Sequence, residues 1–172
     1  LYDDSNTAWC WRLSLAGSRL ASVNPIPMAM SQINEFEGNA EHWQSLYTIL
    51  TELFVNALDH GVLALSSELK TCHEGFAQYF KEREARLKTL DTGFVEIKLS
   101  HHPFPNGGRV KICVQDSGKG FDLKNQYRNR ANKSGDAPVL SGRGIELVEQ
   151  LCDSLEYKDN GTLVEASFVW TT

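Results

Sequence analysis

The sequence predicts an α+β fold, a two-layer α/β sandwich in which a mixed, mostly antiparallel sheet carries helices on one face. Helical patterns come mainly first along the 172-residue chain, and four or five strand patterns come mostly later. The strands are joined by hairpin turns, which connect antiparallel neighbours, and not by the crossover helices that parallel strands require. This ordering does not favour a βαβ nucleotide-binding fold.

Apolar spacing predicts the helices of the first half. A first strand is predicted over 8–15, and a short helix over 27–36 follows a proline-rich turn. The segment 41–60 has the clearest helical pattern, because its apolar residues recur at steps of four, three and four. These residues are Leu46, Leu50, Leu53 and Ala57. Gly61 then stops or kinks the helix, and 63–90 is again helix-like.

The second half carries the strands of the predicted sheet. Residues 94–99 alternate apolar and polar side chains, as a half-buried strand does, and 109–114 is the returning strand. The sequence Asn106-Gly107-Gly108 between them is a hairpin turn signal. The chain ends in a second predicted hairpin, with strands over 154–157 and 163–170.

A long segment over 116–142 separates the two hairpins and contains few large apolar side chains. A loop of this length inside a compact domain is usually functional or mobile. A short amphipathic helix is predicted over 145–152, directly after it.

Composition limits the classes of function. The net charge is −5, so the chain lacks the broad positive field of a nucleic-acid binder. No apolar run approaches the roughly 20 residues that span a bilayer, and the start does not resemble a signal peptide. The scattered cysteines, without a C-x-x-C pair, indicate buried free thiols in a reducing cytoplasm. They are Cys10, Cys72, Cys113 and Cys152. We therefore expect a cytoplasmic protein without nucleic-acid or membrane partners.

A polar pair on the long helix is the first candidate for chemistry. Glu52 and Asn56 are four residues apart and share a helix face that lies off the apolar stripe. The amide oxygen of Asn56 suits Mg²⁺, which prefers oxygen ligands. The carboxylate of Glu52 could orient a metal-bound water or accept a proton from an attacking hydroxyl. By itself, the same spacing also describes an ordinary exposed polar face.

The second candidate is the end of an apolar strand at Asp116, which is followed by Gly118 and Gly120. A carboxylate there can accept a hydrogen bond from an exocyclic amine such as adenine N6. Glycines permit positive φ and let a ligand approach the backbone closely. Taken alone, these residues also describe a hairpin turn.

The third candidate is Gly142-Arg143-Gly144, at the start of the short helix. Exposed backbone N–H groups at a helix N-terminus attract an anion, and the helix dipole adds to the attraction. Arg143 could add a charge-assisted contact to phosphate. The alternative is a flexible loop end with Ser141 as the N-cap.

The order of these three motifs, with Gly161-Thr162 opening the last strand, resembles the GHKL (Bergerat-fold) superfamily. The resemblance covers roughly residues 46–170. It implies one ATP-binding domain over 1–172 with the Bergerat ATP-binding fold, and ATP and Mg²⁺ as cofactors. It also implies roles for individual residues.

The resemblance makes Asn56 the Mg²⁺-binding residue and Glu52 the catalytic or water-positioning residue. It makes Asp116 the adenine-binding residue, assisted by Thr162 directly or through water. The implied ATP lid spans 121–141, and Arg143 is a weaker candidate for a phosphate contact, as is the neighbouring Lys119. The glycines are implied to frame the adenine pocket, at Gly118 and Gly120, and to lie at the triphosphate, at Gly142 and Gly144.

Within this superfamily the chain is most similar to the anti-sigma-factor serine/threonine kinases. Their pattern E-x-x-x-N-A-x-x-H-G is satisfied over 52–61, and G-x-G-[IL]-x-[LI]-[VM] over 142–148. This branch implies an anti-anti-sigma (STAS-type) protein as phosphoacceptor, and a sigma factor is a further candidate partner. Such domains also end larger response-regulator phosphatase proteins. Because the chain starts at Leu1 without Met, we expect it to be part of a longer protein.

One feature departs from that branch and leaves alternatives open. The segment 62–91 is longer than the connection expected there, and we interpret it as a helical insertion. It could form a partner-binding or homodimer surface, or it could be a family-specific decoration. Two other functions also remain open. One is a non-catalytic, nucleotide-dependent module that sequesters a sigma factor or its antagonist, and the other is a histidine-kinase catalytic domain.

Overall fold

The structure, a computed structural model, describes residues 6–71, 73–120 and 143–172. Its sheet has five strands in the order β1-β2-β3-β5-β4, and each of the four pairings between them is antiparallel. The strands are β1 (Trp9–Ala16), β2 (Phe94–Phe104), β3 (Gly107–Asp116), β4 (Ser154–Lys158) and β5 (Leu163–Thr171). The predicted α+β class and the predicted hairpins are therefore confirmed.

The helices also follow the predicted order. The α-helices are α1 (Arg19–Ser22), α2 (Ile26–Glu37), α3 (Trp43–Asn56), α4 (His73–Lys88) and α5 (Arg143–Leu151). Short 3₁₀ helices occupy Ser67–Thr71 and Asp159–Gly161. The pattern over 63–90 predicted helix from Leu63 onward, whereas helical structure there begins only at Ser67.

The core lies between the helices and one face of the sheet. Strand residues on this face alternate with polar residues on the other, and Leu99, Ile112 and Ala166 are directly paired neighbours across it. The apolar stripe predicted for α3 packs into the same core. The outer face carries a paired row of largely polar side chains, namely Arg12, Lys98, Cys113, Glu165 and Glu156. One helical layer on one sheet face is the two-layer sandwich that the sequence predicts.

The long helix does not end at Gly61. After Asn56 the chain continues as a π-helical turn over Ala57–Val62, which we call the π-segment. Its wider turn closes with a hydrogen bond from Leu63 N to Leu58 O of 2.8 Å. Such turns are rare and occur frequently at functional sites. The π-segment follows α3 directly along the chain and lies against the end of β3.

The described cysteines are free thiols. Cys113 and Cys152 are half-buried, but Cys10 is exposed, so the expectation of buried thiols is wrong for Cys10. Its strand lies at the sheet edge, and its side chain is on the polar outer face. Cys72 lies outside the described residues. Within the described ranges, none of the helices combines the length and the apolar character needed to cross a membrane.

Candidate functional site

The carboxylate of Asp116 lies in a cradle formed by two glycines. Asp116 is the last residue of β3 and is 9% exposed. A Cβ atom at Gly61 would lie 2.5 Å from Asp116 Oδ1, and one at Gly118 would lie 2.7 Å from the same oxygen. Side chains cannot approach so closely, so the π-segment and the turn after β3 both need glycine at these points. The two segments therefore enclose one carboxylate group.

The carboxylate of Asp116 can accept a further hydrogen bond. The Gly118 N–H donates to Asp116 Oδ1 at 2.7 Å, whereas Oδ2 accepts none from the described residues. Burial raises the pKa of Asp116, and the hydrogen bond from Gly118 lowers it by a smaller amount. Because the folded-state pKa lies above the ordinary value, ionisation costs folding free energy as pH rises through it. A ligand amine that bonds to the ionised group would offset that cost.

Thr162 lies next to Asp116 across the sheet. Its backbone oxygen accepts a hydrogen bond from Asp116 N at 2.9 Å, and its hydroxyl donates to Asp159 O at 2.8 Å. The hydroxyl oxygen can still accept, as an adenine or water contact would require. Gly120, with φ of +76°, lies against Asn160, where a Cβ atom would collide with the backbone oxygen. The predicted adenine-site residues are thus brought together.

The second half of the site lies between α3 and α5. Glu52 and Asn56 are half-buried one turn apart on α3, beside the fully buried apolar stripe. A Cβ atom at Gly144 would collide with Glu52 Oε2, so the first turn of α5 lies directly against this carboxylate. A carboxylate is stabilised near a helix N-terminus by the helix dipole. The structure therefore brings Glu52 and Gly144 together, and the role of Gly144 at the triphosphate stays a prediction.

Several predicted residues are not tested. The proposed lid over 121–141 and Gly142 lie outside the described residues, as does the side chain of Arg143. Lys119 is exposed at the end of the turn after β3. The phosphate contacts proposed for these residues stay predictions.

The described residues fit a nucleotide with Mg²⁺. A buried carboxylate with a free acceptor atom and a backbone bared by glycines suits an adenine amine. In the described ranges, no group of three or more His, Cys, Asp or Glu side chains could hold a metal. A cation here would depend on the Asn56 amide oxygen and on phosphate oxygens, which are hard ligands of the kind Mg²⁺ prefers. A separate groove of about 530 Å³ between α2 and α3 contains none of the candidate residues.

Sequence reasoning missed two features of the site. It interpreted Gly61 as a helix stop or kink and as the last position of the pattern over 52–61, and did not foresee that Gly61 is half of the Asp116 cradle. It assigned nothing to Asp59, which is 2% exposed and bonded to Tyr79 and Arg83 of α4. One signal for Asp59 existed, because a tyrosine and an arginine four residues apart share a helix face that can meet a buried carboxylate.

The fold agrees with what comparison with known proteins finds. The family model described as the histidine kinase-like ATPase domain matches residues 17–168, which is most of the chain. No curated protein matches the chain. The matched range contains both halves of the site, the Asp116 cradle and the pair on α3. The chain belongs to the histidine kinase-like ATPase domain family.

Proposed function

We propose that this domain is an ATP-dependent serine/threonine protein kinase that phosphorylates an anti-anti-sigma (STAS-type) protein. The observation that carries the proposal is the position of Glu52, half-buried on α3 and in contact with the first turn of α5. A carboxylate there is close to the helix N-terminus at which phosphate groups are favoured. The pattern E-x-x-x-N-A-x-x-H-G over 52–61 supports the serine/threonine branch.

In the proposed reaction, each described residue has one task. Bound ATP supplies the γ-phosphoryl group, and Mg²⁺ supplies charge neutralisation. Asp116 accepts a hydrogen bond from the adenine amine and orients the nucleotide, and Asn56 holds the metal. Glu52 would accept the proton of the Ser or Thr hydroxyl while the hydroxyl oxygen bonds to the γ-phosphorus. The bond between the γ-phosphorus and the β-phosphate oxygen breaks in the same step, and ADP leaves. Positioning and charge stabilisation are the main requirements of phosphoryl transfer, and the roles proposed for Asp116, Asn56 and Glu52 would meet them.

Phosphorylation would act as a regulatory switch in the cytoplasm. A phosphoserine or phosphothreonine carries nearly two negative charges at neutral pH. Placed in the interface with this acidic domain of net charge −5, it would weaken the complex. The proposed partner is the STAS-type phosphoacceptor, and a sigma factor is a further proposed ligand.

Within the described residues, His42 is a poor candidate for the phosphoacceptor of a histidine kinase. His42, just before α3, stacks on Trp170 with ring centroids 5.4 Å apart and meets the edge of Trp43 at 4.1 Å. Its Nε2 atom is buried without a hydrogen-bond partner among the described residues, and burial lowers its pKa. A phosphoacceptor nitrogen must be accessible, so Nε2 of His42 is poorly suited to that role.

The test replaces Glu52 with glutamine, which keeps the side-chain shape that α5 contacts. We expect phosphate transfer to the hydroxyl residues of STAS-type proteins to fall by about 10²–10⁴-fold, as loss of a general base does. The affinity for Mg-ATP should change by less than about twofold, because the adenine contacts are intact. Glu35→Gln, an exposed acid on α2, is the matched control and should leave both quantities unchanged.

Three outcomes would contradict the proposal. Transfer at the wild-type rate by Glu52→Gln would remove the role given to Glu52. Nucleotide-dependent partner binding without phosphate transfer would favour the non-catalytic sequestering module. An acid-labile phosphohistidine as the product would favour a histidine kinase.

A further inference from the structure

The π-segment is hydrogen-bonded to α4 through Asp59. Asp59, in the middle of the π-segment, is 2% exposed, and its two carboxylate oxygens take different partners. The Tyr79 hydroxyl donates to Oδ2 at 2.6 Å, and Arg83 Nε donates to Oδ1 at 2.8 Å. We call these three residues the Asp59 clamp. Both donors belong to α4, in the insertion whose role the sequence left open.

The clamp is built so that the hydroxyl donates. Tyr79 is 1% exposed, and burial together with its hydrogen bond to Asp59 raises its pKa. Arg83 is half-buried, and its guanidinium balances the carboxylate charge. A buried ion pair of this kind contributes little net stability compared with apolar side chains of similar volume, so stability alone is a weak reason for it.

The chain directly after the π-segment is also hydrogen-bonded to α4. Arg86 Nη1 donates to Leu63 O at 2.6 Å, and Leu65 N donates to Asp59 O at 2.9 Å. His60 Nδ1 donates to Leu65 O at 2.8 Å. Ala64, between Leu63 and Leu65, has φ of +52°, a conformation that non-glycine residues keep only when their surroundings impose it.

The Asp59 clamp is close to the adenine side of the site, because Asp59 is two residues from Gly61 in the sequence. Gly61 follows Asp59 in the π-segment, and its Cα lies against the Asp116 carboxylate. Gly61 O in turn lies 2.5 Å from the point where a Cβ atom of Gly118 would be. Because these contacts leave no free space, a shift of the π-segment must move the carboxylate or the turn that cradles it.

We propose that Tyr79 and Arg83 are positioning residues for nucleotide binding, which act through Asp59 to hold Gly61 against Asp116. The insertion helix α4 thereby forms the rear support of the adenine pocket. The proposal rests on the proposed function only in that the pocket binds a nucleotide. It does not depend on which residue of which partner is phosphorylated.

Tyr79→Phe is the decisive variant, because it removes one hydroxyl and keeps the buried ring. Arg83→Met removes the guanidinium, and Arg83→Lys is the conservative variant that restores a positive charge. Tyr47→Phe, an exposed tyrosine on α3, is the matched control. Amide hydrogen exchange of the nucleotide-free protein is measured first, over 57–65 and 116–120, with 95–99 of β2 as an internal reference.

We expect exchange over 57–65 and 116–120 to accelerate at least about tenfold in Tyr79→Phe and Arg83→Met, while 95–99 keeps the wild-type rate. The Mg-ATP dissociation constant should rise about tenfold in both variants. The kcat of the proposed phosphate transfer at saturating ATP should stay near the wild-type value. Arg83→Lys should recover most of the affinity, and Tyr47→Phe should match the wild type.

Two exchange results would overturn the inference. One is wild-type exchange at both segments in Tyr79→Phe, and the other is equal acceleration at 95–99, which a purely structural role would produce. The exchange measurement decides, without any nucleotide, whether the clamp holds Gly61 against Asp116, and an unchanged Mg-ATP dissociation constant in Tyr79→Phe would overturn its role in nucleotide binding. Failure of the wild-type protein to bind Mg-ATP would contradict the proposed function. The exchange rates of the variants would still test whether the clamp holds the π-segment in place. If Arg83→Met does not fold, Tyr79→Phe still gives the answer.

Discussion

Replacing Gly118 with alanine would place a methyl group in the contact between the turn after β3 and the π-segment. The new Cβ atom would lie 2.5 Å from Gly61 O, 2.7 Å from Gly61 C and 2.7 Å from Asp116 Oδ1. Two of these three atoms are backbone atoms, which cannot move aside by changing rotamer. The turn or the π-segment must therefore shift.

The size of the shift follows from these distances. Ordinary van der Waals contact begins at 3.4 Å, so the methyl group and Gly61 O overlap by about 0.9 Å. Overpacking of this kind costs about 1–3 kcal/mol of folding stability. Loss of the aligned hydrogen bond between adenine and Asp116 would cost about 1.5–3 kcal/mol of binding, since the acceptor is charged. Each 1.4 kcal/mol is tenfold in affinity, so we expect the dissociation constant for Mg-ATP to rise by about 10–150-fold.

The assay is a calorimetric titration of Mg-ATP into both proteins, accompanied by a thermal melt. Gly38→Ala is the control, because no atom lies within 4 Å of its added Cβ although its φ of +77° strains an alanine. That control should lose about 1–3 kcal/mol of stability through strain and keep its nucleotide affinity. If Gly118→Ala binds Mg-ATP as tightly as the wild type, the cradle does not position the adenine and the reasoning is refuted.

Two further predictions concern the charges of the site. Because burial raises the pKa of Asp116 and the ionised group accepts the adenine amine, affinity for ADP should be retained above that pKa and lost as pH falls through it. Asp116→Asn should bind ADP more weakly at neutral pH and should lack this pH dependence. The ratio of the dissociation constants of the two proteins cancels the titration of the phosphates and should approach a constant at low pH. A ratio that is flat over the whole pH range would contradict the role of Asp116. Asn56→Ala should weaken Mg-ATP binding about tenfold and leave metal-free ATP binding unchanged, as titrations with magnesium and with a chelator would show. Equal losses in both titrations would contradict the metal role, and Asn34→Ala on α2 is the matched control.

Local patterns were sufficient for the strands, for most of the longer helices and for parts of the site. The pair Glu52 and Asn56 could be placed on one face because helix geometry depends only on spacing within the helix. The strand that ends at Asp116 and the glycine after it are equally local, as is the last hairpin. Antiparallel pairing followed from the turn signals, because a short turn can join only antiparallel neighbours.

Contacts between segments far apart in the chain could not be predicted from one sequence. The collision of a Gly144 side chain with Glu52 depends on how α5 packs on α3. The contact of Gly61 with Asp116 depends on the π-segment, whose extra residue per turn has no clear sequence pattern. The helical pattern of the insertion puts Tyr79 and Arg83 on one helix face, but the sequence did not show that this face would pack against a buried Asp59.

The sequence by itself therefore determined the class of fold, the order of the strands along the chain and the separate motifs of a nucleotide site. These depend on periodicity, turn chemistry and residue type, which act over a few residues. Only the tertiary structure decided which motifs meet, which glycine is needed for space and which helix supports the pocket from behind. Those are properties of close packing, in which the space left by one segment is set by atoms of another.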